Sequence, residues 1–136
     1  MEKIRWGILG CGKIANKFAA DLKLVSDATL MAVASRDQHR ANDFAKQHEA
    51  ALVFSSYEAL ASCEQVDVIY IATPHGFHHE HALLCLNHKK AVLCEKAFAL
   101  NERQVLEMVQ AANRNNVFLM EAFWTKFIPQ YKKVTE

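Results

Sequence analysis

Long apolar runs are missing from this chain of 136 residues. None reaches the roughly 18 apolar residues that a membrane-spanning helix needs, so no transmembrane segment is expected. Charge of one sign is missing too. Sixteen Lys and Arg stand against fifteen Asp and Glu, a net charge of +1 with His neutral. That balance gives no broad field to draw nucleic acid or an anionic membrane surface. The four cysteines, Cys11, Cys63, Cys85 and Cys94, show no C-x-x-C spacing. They lie in or beside apolar segments, where cysteine acts as a small buried hydrophobe. Reduced thiols in a cytoplasmic protein are expected. Met1-Glu2-Lys3 leads straight into an apolar segment, with no separate hydrophobic region and cleavage site, so no secretory leader is expected. No linker, repeat or low-complexity stretch interrupts the chain. What is left is an ordinary globular composition, 51% hydrophobic and 23% charged, long enough for one domain and one core.

Strand and helix patterns alternate along the whole length. Strands are predicted over about residues 3–9, 29–34, 52–54, 66–72, 91–94 and 117–122. Helices are predicted over about residues 13–24, from an Asp37 cap to residue 48, and over 57–61, 77–87 and 102–114. Pro129 suits the first turn of a last helix. Ile14, Phe18, Ala19 and Leu22 share one face of the first helix, and Val105, Met108, Val109 and Ala112 one face of the fifth. Alternation with short loops implies right-handed crossovers and a parallel sheet. The predicted fold is α/β, a doubly wound parallel sheet of the Rossmann type in the order 3-2-1-4-5-6. The domain is assigned to residues 1–122. Residues 123–136 read as the start of a connection to a further domain, because the last helix has no evident partner.

The segment Gly10-Cys11-Gly12-Lys13-Ile14-Ala15 follows the first strand directly and opens the first helix. This is the G-x-G-x-x-(G/A) dinucleotide fingerprint in its required context. Gly10 allows the tight turn at positive φ. Gly12 leaves room for a pyrophosphate against bare backbone, and Ala15 lets the helix pack close to the strand. Free N–H groups at the helix start, including those of Lys13 and Ile14, then face the phosphates.

The end of the second strand selects the dinucleotide. An acidic residue there reads the ribose hydroxyls of NAD. Here the sequence is Ala34-Ser35-Arg36-Asp37, with Arg40 one turn later. Ser35 removes the carboxylate, and Arg36 suits pairing with a 2′-phosphate or stacking on adenine. NADP is therefore the expected cofactor, with NAD the alternative if Asp37 turns inward instead of capping its helix. A plain polar loop is the competing reading of Ser35 and Arg36.

Thr73-Pro74-His75-Gly76 forms a loop at the carboxyl end of the fourth strand, where open α/β sheets bind ligands. The histidines His75, His78, His79 and His81 have no common zinc spacing and no completing Cys or carboxylate pair, so no metal site is expected. His79 and His81 are expected to face water, while His75 and His78 are the site candidates. Glu95-Lys96 follows the fifth strand and opens onto the same cleft. Lys96 is the candidate catalytic residue, suited to hydrogen-bond a substrate hydroxyl or the nicotinamide ribose, with Glu95 holding it in place. The competing reading is a surface ion pair of under about 1 kcal/mol.

Four segments together resemble the glucose–fructose oxidoreductase / inositol dehydrogenase / MocA family. They are Trp6-Gly7-Ile8-Leu9-Gly10-Cys11-Gly12-Lys13-Ile14-Ala15, Ala72-Thr73-Pro74-His75-Gly76-Phe77-His78, Val92-Leu93-Cys94-Glu95-Lys96-Ala97, and Met120-Glu121-Ala122-Phe123-Trp124-Thr125-Lys126-Phe127-Ile128-Pro129. The last is similar to the dihydrodiol dehydrogenase-like branch. The resemblance implies that Lys96 is the signature lysine near the nicotinamide. It implies that Thr73, Pro74 and His78 line the cofactor and that Ser35 and Arg36 sit at the adenosine ribose. His75 stands where the family has Asn, Ala97 where it has Pro, and Lys126 where it has Arg. The resemblance also implies a second, substrate-binding domain that carries most of a dimer interface and that these 136 residues do not include. The expected activity is hydride transfer between a nicotinamide and a hydroxyl-bearing carbon of a sugar, cyclitol or cyclic diol. The partner is then a small polyol bound with that second domain, and the 136 residues alone are expected to be inactive. The alternative is a regulatory module that senses NAD(P) without turnover. A methyltransferase fits poorly, because after the second strand there is no acidic residue for the ribose hydroxyls, Asp37 being read as the helix cap, and Glu95-Lys96 would have no role.

Overall fold

The structure, a computed structural model, describes residues 2–136. Six strands form one parallel sheet: β1 (Ile4–Leu9), β2 (Ala28–Ala34), β3 (Leu52–Phe54), β4 (Val68–Ile71), β5 (Ala91–Glu95) and β6 (Leu119–Ala122). Their spatial order is β3-β2-β1-β4-β5-β6, as the alternation implies. The helices are α1 (Lys13–Leu22), α2 (Gln38–His48), α3 (Tyr57–Ala61), α4 (His78–Asn87), α5 (Glu102–Asn115) and α6 (Pro129–Thr135). Short 3₁₀ turns occupy His75–Phe77 and Trp124–Phe127.

Both faces of the sheet are packed, which is why its central strands read as continuous apolar runs. Ile8, Val33 and Tyr70 point to one side, into a cluster with Ala15, Ala19, Phe44 and Ala45 from α1 and α2. Leu9, Ala32, Ala34, Ile69 and Ile71 point to the other, against Leu60, Leu86, Met108 and Ala111 from α3, α4 and α5. Successive strand residues alternate between the two clusters, as the period of two requires. Ala15 and Ala19 are essentially inaccessible, so α1 lies close against the strands. The α1 and α2 side covers only half of the sheet. Over β4, β5 and β6 it leaves an apolar groove of about 600 Å³, lined by Phe18, Tyr70, Leu93, Met120, Phe123 and Trp124 among others.

Element ends differ from the sequence reading for local reasons. Helix α1 stops at Leu22, where Leu24 and Val25 donate to Asp21 and Leu22 and close the last turn; Leu24 is 85% exposed. Strand β4 begins at Val68, because Val66 N–H turns back to Cys63 O. Strand β6 begins at Leu119, because Val117 N–H reaches back to Ala112 O and completes the end of α5. The apolar face of α5 is also shifted: Ala111 is buried, whereas Val109 is 40% exposed. Asp37 caps α2 as predicted, its Oδ1 accepting the Arg40 N–H at 3.1 Å.

Candidate functional site

At the carboxyl ends of the strands lies a cleft of about 730 Å³. Its walls bring together Gly10, Gly12, Lys13, Ile14, Ser35, Arg36, Arg40, Thr73, Pro74, His75, Glu95 and Lys96. These come from four separated stretches of sequence, joined because β2, β1, β4 and β5 are consecutive in the sheet. Of the candidate site residues, only His78 is not on the wall.

Gly10 has φ +100°, and a Cβ built there would lie 2.9 Å from Thr73 Cγ2 and 3.1 Å from Thr73 N. Only glycine fits this turn and this close approach to the β4 loop. At Gly12 a Cβ would meet nothing within 4 Å. Its bare backbone instead faces open cleft, as a bound pyrophosphate requires. The Gly12 carbonyl is held from behind. Asn16 Nδ2 donates to it at 3.0 Å, and Asn16 Oδ1 accepts from His48 Nε2 at 2.7 Å. Asn16, one turn beyond Gly12, is a support that the fingerprint alone did not reveal.

Ser35 is buried, and its Oγ accepts the Asp37 N–H at 3.2 Å. The Asp37 carboxyl is held below the usual carboxylate range by its bond from Arg40 N–H. Arg36 reaches over the cleft, its Cζ 5.4 Å from the Phe77 ring and 5.9 Å from that of Tyr57. Tyr57 lines the cleft as well. It lies outside the family segments, and nothing in its local sequence marks it.

His78 is buried rather than facing the cleft. Its Nδ1 lies 2.7 Å from Ala97 O and its Nε2 2.8 Å from Thr73 O. The ring therefore ties the β4 loop to the loop after Lys96. His79 and His81 do not stand free in water. His79 Nε2 contacts Glu107 Oε2 at 2.7 Å, bridging α4 to α5. His81 is buried, with Nδ1 2.9 Å from Thr73 Oγ1. Burial pushes its pKa down from the ordinary value. Both lie on helix faces that pack on neighbours, which the polar run His78-His79-Glu80-His81 conceals. Among the described residues, no three His, Cys, Asp or Glu side chains are placed to share a metal ion.

Glu95 does not pair with the Lys96 ammonium. Its Oε2 accepts the Lys96 backbone N–H at 3.1 Å, and its Oε1 accepts the Tyr70 hydroxyl proton at 2.9 Å. Burial and this carboxylate push the Tyr70 pKa up, so the phenol stays a donor. Glu121 Oε2 accepts the Phe98 N–H at 2.9 Å and anchors the loop that follows Lys96. Lys96 itself is exposed at the cleft wall with its ammonium free of any carboxylate among the described residues. Burial pushes the Cys11 thiol up to about 11 and Cys85 up to about 12, so neither is a nucleophile.

Residues 4–123 match the model of the Gfo/Idh/MocA oxidoreductase family, NAD-binding Rossmann fold. The chain belongs to this family. Its relatives include a trans-1,2-dihydrobenzene-1,2-diol dehydrogenase from Xenopus tropicalis, 42% identical over 96% of this chain and 40% of that protein. The scyllo-inositol 2-dehydrogenase (NADP(+)) IolU of Bacillus subtilis is 43% identical over 96% of this chain and 40% of its own length. A 3-ketoreductase from Actinomadura kijaniata, solved with NADP and TDP-benzene, superposes with TM-score 0.94 at 29% identity, over 98% of this chain and 41% of that one. The chain thus spans about two fifths of the length of these relatives. Among the described residues, no helix is long and apolar enough to cross a membrane.

Proposed function

We propose that this chain is the cofactor-binding part of an NADP-preferring oxidoreductase acting on a hydroxyl-bearing carbon of a sugar, cyclitol or cyclic diol. Residues 1–122 form the dinucleotide domain, and residues 123–136 begin the connection to a substrate domain like that of the longer relatives. The dihydrodiol and inositol dehydrogenases among those relatives support the substrate class. The observation that carries the cofactor reading is the composition of the cleft wall. Arg36 and Arg40 stand at the ribose end, and among the described residues Glu95 is the one carboxylate on the wall, at the opposite end. Asp37, the competing ribose reader, spends its carboxylate on the α2 cap.

The residues fit the dinucleotide. The Gly10 turn and the open space at Gly12 receive the pyrophosphate, with the N–H groups that begin α1 facing it. Arg36, and Arg40 beside it, meet the 2′-phosphate in a charge-assisted contact. Thr73, Pro74 and His75 line the middle of the cleft, and Lys96 closes the nicotinamide end. The nicotinamide, when bound, supplies the hydride chemistry. Lys96 Nζ orients the reacting hydroxyl and takes part in moving its proton, while Glu95 holds the Lys96 backbone and Tyr70 holds Glu95. The site is cytoplasmic in this reading. Homodimerisation belongs to the full-length protein, and neither nucleic acid nor membrane is a partner.

Calorimetric titration of the purified chain tests this. NADP(H) is expected to bind about ten- to a hundredfold more tightly than NAD(H) at low salt. Arg36→Ala should erase most of that preference and leave NAD(H) binding nearly unchanged. Equal or tighter NAD(H) binding by the parent ends the NADP assignment. With sugars and cyclic diols the isolated chain should show no steady-state turnover. A full-length form that binds cofactor yet turns nothing over would favour a sensing module.

A further inference from the structure

We infer that Phe77 and Tyr57 clamp Arg36, and that this clamp sets how strongly the site discriminates between the phosphorylated and unphosphorylated dinucleotides. The inference rests on the cofactor reading above. Arg36 makes no ion pair among the described residues. What holds its guanidinium is aromatic: the Phe77 ring at 5.4 Å and the Tyr57 ring at 5.9 Å, both within cation–π range. The two rings are themselves fixed by one buried side chain. His81 stacks on Phe77 at 5.8 Å with an interplanar angle of 15°, and meets Tyr57 edge-on at 4.7 Å and 69°. Its Nδ1 is anchored on Thr73 Oγ1. Residues from the end of β2, the start of α3, the 3₁₀ turn after β4 and the first turn of α4 therefore meet around one cation.

Neither ring contact is an N–H···O hydrogen bond, so the N–H donors of the guanidinium stay available to an anion. The clamp thus costs Arg36 none of the donors a phosphate needs. It removes in advance rotamer freedom that an unheld arginine would lose on binding. NAD has no phosphate at this position, so the gain falls on NADP alone. Phe77 does not line the cleft and is 40% exposed, so it is open to substitution without touching the cofactor.

The test compares Phe77→Leu and Phe77→Trp with the parent, by calorimetric titration of NADP(H) and NAD(H) on the same chain. Phe77→Leu keeps apolar cover over His81 but removes the ring. It should weaken NADP(H) about two- to fivefold and leave NAD(H) unchanged. Phe77→Trp offers the best cation–π partner and should match or exceed the parent's discrimination. Parental discrimination in Phe77→Leu overturns the clamp, as does an equal loss of both cofactors or a Phe77→Trp that behaves like Phe77→Leu. A parent that does not favour NADP(H) overturns the cofactor reading and the clamp with it. A parent that favours NADP(H) while Phe77→Leu keeps the parent's full discrimination overturns the clamp alone.

Discussion

Two glycines of the same motif serve unrelated purposes, and substitution separates them. Gly10→Ala places a Cβ at φ +100° against the backbone of Thr73 and Ala72. It should cost about 1–3 kcal/mol of stability in strain, before the contact is counted. Gly12→Ala puts a methyl into open cleft on ordinary extended backbone. Its stability should stay within about 0.5 kcal/mol of the parent. Dinucleotide affinity should nevertheless fall roughly tenfold, because the pyrophosphate loses its close approach. Urea unfolding and calorimetry on both variants check this. A Gly12→Ala chain that binds like the parent would remove the basis for placing the pyrophosphate there. The motif was legible from spacing alone, since Gly10 and Ala15 answer local steric needs and Gly12 stands at a fixed offset from them. His81 was not legible. The residues before it, His78-His79-Glu80, are polar, and only the packing of α4 against α3 and the β4 loop shows that it turns inward.

Three helices end in the same way, and none of them uses glycine. Glu49, Lys89 and Asn116 all take positive φ, at 62°, 60° and 53°. The following N–H in each case reaches the carbonyl five residues back: Ala50 to Ala45, Lys90 to Cys85 and Val117 to Ala112. This closure satisfies orphan carbonyls at the helix end, and glycine is its usual occupant. A residue with a Cβ pays a conformational penalty there. Lys89 makes no side-chain bond among the described residues that its loss would forfeit. Lys89→Gly should therefore stabilise the chain by about 0.5–1 kcal/mol, read as a higher midpoint in urea with an unchanged slope. A lower midpoint would show that the unfolded chain's added freedom outweighs the relief. One of these closures explains why β6 begins two residues later than the apolar pattern predicts: Val117 N–H completes α5 instead of joining the sheet, and a capping N–H belongs to neither pattern that hydrophobic periodicity detects.

For the molecule as a whole, pH acts through groups on several elements at once. Burial holds the pKa of His48 and His81 below the ordinary value of 6.5. The unfolded chain then binds protons more readily than the folded one as pH falls below about 6.5. Their contribution is complete above that pH and is lost as pH falls toward the folded values. Asp67, bridged to Arg5 across β1 and the start of β4, is likewise held below its ordinary 3.8. Its contribution is lost only in stronger acid. Stability measured by urea unfolding should decline from pH 7 to pH 5 and again below about pH 4. The double variant His48→Gln and His81→Gln should flatten the first decline. An undiminished slope in that variant would assign the decline to other groups.

Strand–helix alternation, the two-sided burial of the central strands and the glycine fingerprint were set by the sequence alone. Each depends on residues near one another along the chain, through period, cap or turn, and those rules hold wherever the segment sits. Right-handed crossovers then left one economical strand order, which the sheet adopts. Other features needed the tertiary structure. Tyr57 and Phe77 meet Arg36 only because α3 and the β4 loop flank the end of β2. Tyr70 meets Glu95 only because β4 and β5 are neighbours with Ile71 opposite Cys94. His78 became a brace between two loops because it falls on the inward face of α4. Apart from His78 with Thr73, these contacts join residues 19 to 41 apart in sequence, and no local pattern encodes which side chains a sheet will bring face to face.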